Sequence, residues 1–329
     1  MFMRKITRKL VKIVLPFILG GAILYWMYRD FDWQSMWLFM EREMDWTWMW
    51  LSFPFGILAQ LFRAWRWRLT LEPIGEQSRT STRIHSIFLS YAVSLVIPRI
   101  GEFMRCGVLA KKDDVSFSKS LGTVVVERAV DSLLVLIFTA VILLLQMRVF
   151  GIFFEKTGVN LSDTLGRFSA TGYIVTAICG IAALISLYSV RKKLSIYNKV
   201  KTTVHGVWEG VMSLKQLKHT PLFLFYSVMI WVSYFLHYYL TFFCFDFTAH
   251  LGIMCALVTF IVGTIAVIVP TPNGMGPWHF AVKTMLILYG VADINALYFV
   301  LIVHTVQTLL VVALGIYAWV GLALTKSRN

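Results

Sequence analysis

Apolar residues in this chain come in long blocks separated by short charged stretches. A helix needs about 20 mostly apolar residues to cross the hydrocarbon core of a bilayer. Blocks at 13–29, 46–62, 120–147, 171–189, 221–245, 251–269 and 296–322 are read as spans. Two further apolar pieces, 84–98 and 277–290, are too short or too broken, and pieces of that length often re-enter rather than cross. The pattern predicts an all-α polytopic membrane protein with about seven spanning helices and two broken or re-entrant hairpins.

The breaks have a shared form. "SLVIPRIGEF" at 94–103 has a counterpart in "AVIVPTPNGMG" at 266–276, each running β-branched residues into proline, polar residues and glycine. Proline removes a backbone donor and glycine admits unusual dihedrals. Pro98, Gly101, Pro270, Pro272, Gly274 and Gly276 are therefore taken as helix breaks. A long apolar helix with polar residues inside follows each break: "SLGTVVVERAVDSLLVL" (120–136) and "ALYFVLIVHTVQTLLVV" (296–312). A shift of 176 sets Arg128 on His304 and Asp131 on Gln307. This divides a single membrane domain, 1–329, into N-terminal helices (1–83), a first hairpin-plus-helix repeat (84–147), linking helices (171–245) and a second repeat (251–322). Non-helical backbone at membrane depth survives only where protein buries it or water reaches it. The two breaks therefore point to a polar cavity inside the membrane.

Charge sets the orientation. Arg4, Lys5, Arg8, Lys9 and Lys12 precede the first block with no acid among them, which places the N-terminus in the cytoplasm. Residues 30–45 are acidic and suit the outside, whereas 63–83 and 99–119 are both basic. Two consecutive basic loops make 84–98 enter and return on the cytoplasmic side. Lys326 and Arg328 put the C-terminus there too, so 251–290 either re-enters from outside or makes a down-and-up pair; re-entry from outside makes the repeats inverted. Many secondary transporters are built this way, with broken helices meeting at the midplane. The N-terminal block resembles a signal peptide, but Pro16, Tyr25, Trp26 and Tyr28 and the lack of a small-residue cleavage site make it a retained anchor.

Composition agrees. The chain is 58% hydrophobic and 15% charged, too little polar surface for a soluble protein of 329 residues. The net charge of +14 reads as cytoplasmic anchors, and no nucleic-acid partner is expected. Cys106, Cys179, Cys244 and Cys255 lack metal-ligand spacing, so neither a metal nor a cofactor is expected. The "RAWRWR" cluster at 63–68 reads as an interfacial belt, with tryptophans at headgroup depth and arginines on phosphates.

Charges within membrane segments cost about 2.5–3.5 kcal/mol each on insertion scales and usually face a cavity or a partner. Glu127, Arg128 and Asp131 lie well inside the block 120–147. Arg128 and Asp131 are three apart and can pair; Glu102 and Arg105 repeat that spacing. Arg99, Arg105 and Arg128 suit a lipid phosphate, since guanidinium forks match phosphate oxygens. Glu102, Glu127 and Asp131 then neutralise them or meet a cationic headgroup. A closed structural ion-pair network is the competing account. In the second half, Asn273, His279, Lys283, His304 and Gln307 complete the candidate substrate-binding set.

Four stretches in order, "RAWRWRLTLEPIG" (63–75), "VIPRIGEFMRCGVL" (96–109), "VVVERAVDSLLV" (124–135) and "VPTPNGMG" (269–276), resemble the lysylphosphatidylglycerol synthase transmembrane, or flippase-like, family. The resemblance runs from about residue 10 to 322. It implies a membrane region that moves a modified lipid to the outer leaflet, which longer relatives join to a soluble aminoacyl transferase domain. The sequence ends at Asn329 soon after its last apolar block, so that domain is expected to be absent. One departure is that Trp278 and His279 stand where the family more often has an acid.

No Walker A, GxSxG or HExxH sequence is present, so ATP hydrolysis and catalysis are not expected. The expected function is translocation of an anionic or amphiphilic phospholipid, or of a lipid-linked headgroup, between leaflets of a bacterial cytoplasmic membrane. Its partners are membrane lipids and a separate lipid-modifying enzyme. Two alternatives stay open: a membrane-embedded transferase, and a scaffold that recruits a partner through the basic segment 190–220.

Overall fold

The computed structural model describes residues 31–146, 217–269 and 271–327, together with 18, 20–29, 205, 208 and 212. The span expected at 171–189, most of 190–220, the basic N-terminus and Pro270 lie outside the described residues. All regular structure among the described residues is helical. After a helical stretch at 20–28 come α1 (Trp33–Arg42), α2 (Trp46–Leu71), α3 (Thr80–Val96), α4 (Ile100–Asp113) and α5 (Phe117–Leu145). Then follow α6 (Thr220–Tyr239), α7 (Gly252–Ala266), α8 (Pro277–Leu288) and α9 (Asp293–Leu324), with a 3-10 extension of α6 over Leu240–Cys244.

Sequence chemistry explains where several of these begin. Asp32 accepts the amides of Gln34 and Ser35, and Asp45 accepts that of Thr47, so each acid satisfies donors that a helix start leaves open. The Ser35 hydroxyl, then its amide, hold the Asp32 carboxyl below the ordinary aspartate value. Gly75, at φ 76, turns the chain out of the α2 end towards α3.

The helices gather at two ends. At the first, Arg79 pairs with Asp113 (2.6 Å) and also donates to the Lys326 carbonyl, Lys112 donates to the Thr325 carbonyl, and Glu76 accepts the Ser116 amide. The finish of α2, α4 and α9 and the start of α3 and α5 therefore lie together. At the second end, the Asp45 amide donates to the Cys244 carbonyl, Phe39 stacks on Phe245, and Phe31 meets Tyr298 edge-on. There α2 and α9 start and α6 finishes. The largest buried apolar cluster fills this end, with Met49, Phe242, Phe245 and Phe299 at its centre.

Between the ends, α3 and α4 fold back on one another around Ile97–Arg99, and α7 and α8 do so around the Thr271–Gly276 stretch. Arg99 and Asn273 sit in the left-handed region, at φ 65 and 51, so both turns carry a non-glycine residue at a costly dihedral. Each hairpin returns to the end from which it set out. The long helix after one hairpin packs on the other hairpin: α9 on α3, and α5 on α7. The elements also recur at even spacing. Helices α5 and α9 start at Phe117 and Asp293, 176 residues apart; α4 and α8 start at Ile100 and Pro277, 177 apart. The helices before the hairpins share this spacing, with α2 at Trp46 and α6 at Thr220, 174 apart.

The expected count of seven spans is not reproduced among the described residues. Among the described residues, three helices are long and apolar enough to cross a bilayer: Phe117–Leu145, Thr220–Cys244 and Asp293–Leu324. Helix α2 is long enough, but its C-terminal half carries Arg63, Arg66 and Arg68, which lower its hydropathy. The expected span at 251–269 is a helix of 15 residues that stops before the second break, shorter than a bilayer requires.

Candidate functional site

Helix α5 carries Glu127, Arg128 and Asp131 over little more than one turn, and α2 crosses it with Arg63 and Arg66 on one face at helical spacing. Asp131 is the hub. Its Oδ2 receives Arg63 Nη1 at 2.7 Å and its Oδ1 receives Arg66 Nη1 at 2.6 Å. Arg66 Nη1 also donates to the Ser227 hydroxyl on α6 (3.1 Å), and Arg66 Nε stands 3.7 Å from Glu127. Helix α4 supplies the rest: Arg105 reaches Glu127 at 2.9 Å and Glu102 receives Arg128 at 2.6 Å.

Most of this network is dry. The side chains of Arg63, Arg66, Arg105 and Glu127 expose at most 2% of their surface, whereas Arg128 and Glu102 expose 39% and 32%. Aromatic faces line the buried cations: Arg105 lies 4.6 Å from the Trp67 ring centroid, Arg66 5.7 Å from Phe223 and Arg63 5.7 Å from Tyr91. Four guanidiniums (63, 66, 105, 128) face three carboxylates (102, 127, 131), so the cluster carries one positive charge in excess. Arg63 Nε, Arg66 Nη2, and Arg105 Nε and Nη1 are buried with no hydrogen-bond acceptor. An unmatched buried cation with spare donors favours an anion, because the low dielectric strengthens that attraction.

The second half faces the first across a cavity of about 340 Å³. Gln60, Tyr91 and Tyr234 line it, and Gln60 donates to the Tyr234 hydroxyl (3.1 Å). His237, Asn273, Trp278, His304, Gln307 and Thr308 line it too. Asn273 donates to the Thr308 hydroxyl (2.6 Å), the His304 ring meets the Asn273 carbonyl (3.1 Å), and Gln307 donates to the His237 carbonyl (3.1 Å). The left-handed turn at Asn273 is thus clamped to α9. Tyr91 links the two halves, since it lines the cavity and lies beneath Arg63. Two apolar grooves share walls with the cavity. One, about 240 Å³, runs along α5, α6 and α7 and shares Phe260; the other, about 680 Å³, runs along α3 and α9 and shares Thr308.

The candidates named from the sequence fall into three groups. Glu102, Arg105, Glu127, Arg128 and Asp131 meet in the ion cluster. Asn273, His304 and Gln307 line the cavity, and His279 lies behind it with its ring 4.5 Å from that of His304. Arg99 and Lys283 join neither group: Arg99 is exposed at the first break, and Lys283 pairs with Asp293 (2.9 Å). The pairing also differs from that expected within each helix. Arg128 approaches Asp131 only to 3.8 Å and spends its short contact on Glu102, while Arg105 turns to Glu127. Packing of α2 and α4 against α5 brings carboxylates on neighbouring helices closer than those on the same one.

The interfacial reading of "RAWRWR" does not survive. Arg63, Arg66 and Trp67 are buried, and Trp67 donates to the Thr123 hydroxyl on α5 (2.9 Å); Arg68 alone among the three arginines is exposed. Spacing carried the signal, because 63 and 66 share a helical face that 68 leaves. Gln60, Tyr91, Tyr234 and His237 were not singled out as site residues, because a lone polar residue in an apolar block carries no spacing signal.

Among known proteins, the family model described as "Lysylphosphatidylglycerol synthase TM region" matches residues 13–315. No curated protein and no solved structure matches significantly.

Proposed function

For a chain that belongs to the lysylphosphatidylglycerol synthase TM region family, we propose translocation of an anionic or amphiphilic lipid headgroup between membrane leaflets. The observation that carries this reading is the excess buried guanidinium charge beside an amphipathic cavity, held between two helical hairpins and lined by Gln60, Asn273, His304 and Gln307 among aromatic and aliphatic side chains. Each hairpin starts and finishes at one end of the bundle, and the two use opposite ends, which supports re-entrant hairpins in inverted repeats. The polar side chains of the cavity take the headgroup while the apolar grooves beside Phe260 and Thr308 take acyl chains. The first end, rich in Arg79, Arg83, Lys111 and Lys112, is the cytoplasmic one by the positive-inside rule, in a bacterial inner membrane. No covalent step is assigned to the chain. The movement is downhill, ion-coupled or driven by a partner such as a lipid-modifying enzyme.

Arg128 and Glu102 are the half-open members of the ion cluster, so they are the first to meet a headgroup. Losing one charge-assisted hydrogen bond to a phosphate costs about 1.5–3 kcal/mol, which slows transfer roughly tenfold to hundredfold. The paired replacement Arg128→Gln and Glu102→Gln is expected to slow fluorescent phosphatidylglycerol transfer in proteoliposomes by that factor. The melting midpoint should hold near wild type, since a half-exposed pair adds little stability. Unchanged transfer in the double variant overturns the site assignment. A metal-dependent, covalently altered lipid replaces the reading with a transferase.

A further inference from the structure

A second polar cavity, about 600 Å³, lies at the first end, where α2 finishes and α3 and α6 begin. Arg68, Glu72, Ser78, Thr80, Arg83 and Lys218 are among its walls, and Leu71 is the one large apolar side chain there. Two helix N-termini meet in it. The residues that precede the first turns of α3 and α6, Arg79 and His219, make no side-chain cap, and neither first turn holds an acid. Helix starts without caps present open amides and partial positive charge, with one amide fewer at α6, where Pro221 stands in the first turn.

The second, independent observation is Arg83, which is 4% exposed. Its Nη1 donates to the Ser78 carbonyl and hydroxyl and its Nη2 to the Thr80 hydroxyl (3.0 Å), while its Nε is buried without a partner. The nearby acids are engaged elsewhere. Glu72 takes Arg68 at 2.6 Å, and Glu76 accepts the Ser116 amide and stands 4.0 Å from Lys119. Among the described residues neither Arg83 nor Lys218 is in an ion pair. Glu72 and Asp113, the latter paired with Arg79, lie near enough to offset part of the Arg83 charge, but neither pairs with it and its buried Nε is left without an acceptor, which an anion would supply.

We propose that this cavity binds a phosphate-bearing group from the aqueous side, separately from the Arg128–Asp131 cluster. Buried Arg83, the two open helix starts and Lys218 together offer charge and donors suited to tetrahedral oxygens. The volume exceeds one phosphate and the walls lack an apolar track. The group therefore comes from a soluble phosphorylated compound, or from an anionic headgroup whose acyl chains stay in the bilayer.

The test uses the full chain in phosphatidylcholine nanodiscs, with inorganic pyrophosphate as the soluble probe and added phosphatidylglycerol as the lipid probe. Calorimetry should show saturable pyrophosphate binding that weakens roughly tenfold or more in Lys218→Gln and in Arg83→Gln, the loss of one charge-assisted contact. Absence of pyrophosphate binding, with a melting midpoint that rises with phosphatidylglycerol in wild type and in neither variant, assigns the site to a headgroup. Lys218 is exposed, so its replacement tests binding even if Arg83→Gln fails to fold. Identical behaviour of wild type and Lys218→Gln towards both probes overturns the proposal. The Arg128 and Glu102 double variant should keep this binding, which separates failure here from failure of the translocation reading.

Discussion

Replacing Asp131 with alanine is expected to remove most of the folded protein from detergent extracts. Removing one partner of a buried ion pair typically costs about 3–5 kcal/mol, because the remaining charge stays buried and alone. Asp131 serves two such partners, Arg63 and Arg66, which are at most 2% exposed. A typical domain is stable by about 5–15 kcal/mol, so this one change removes a large part of that margin. Size-exclusion profiles and melting midpoints of the purified variant measure the loss. The triple replacement Arg63→Met, Arg66→Met and Asp131→Leu should fold far better than Asp131→Ala, since apolar side chains of similar volume often replace a buried ion cluster with little loss. Translocation should nevertheless be lost in the triple variant, because the guanidiniums beside Tyr91 and the cavity are gone. Wild-type melting of Asp131→Ala would mean that the cluster is solvated and does not hold the bundle together.

That contrast shows what the chain makes legible before it folds. The all-helical character, the breaks at Pro98–Gly101 and Pro272–Gly276, and the special place of Glu127, Arg128 and Asp131 follow from local rules: apolar length, proline, glycine, and the cost of charge in an apolar helix. The partners of those charges do not. Asp131 is satisfied by Arg63 and Arg66, 68 and 65 positions away, and no spacing along α5 reveals which distant helix will cross it. Arg63 and Arg66 sit near the end of an apolar block with tryptophans beside them, a pattern that an interfacial belt also produces. The expected spans are not all reproduced among the described residues, for a related reason. A window of apolar residues measures hydropathy, whereas α7 and α8 are cut short by a turn that Asn273 holds against α9. His237 reads from the sequence as a residue near an interface with no role, because its place depends on contact with α2, where its ring meets the Ser52 carbonyl at 2.9 Å.

Gly101 offers the sharpest test of the first hairpin. A methyl group added there would overlap the Ser90 carbonyl and the Ser94 hydroxyl, and the glycine amide already donates to that hydroxyl at 3.2 Å. The obstacle is backbone, which no rotamer change moves aside. Helix α3 cannot retreat as a body, because α9 packs against it with Gly315 opposite Ala92. Gly101→Ala is therefore expected to force α3 and α4 apart at the break, carrying Glu102 and Arg105 away from Arg128 and Glu127. The melting midpoint should fall sharply, and lipid transfer should fall with it. Gly107 is the internal control, six residues further along the same helix, where an added methyl meets nothing within 4 Å. There the change to alanine removes unfolded-chain entropy and is expected to stabilise by about 0.4–1 kcal/mol. Opposite signs at 101 and 107 can arise only from close packing at the break, because helix propensity alone favours alanine at both positions. Equal and small effects at the two sites would mean that α3 and α4 are not closely packed at the break.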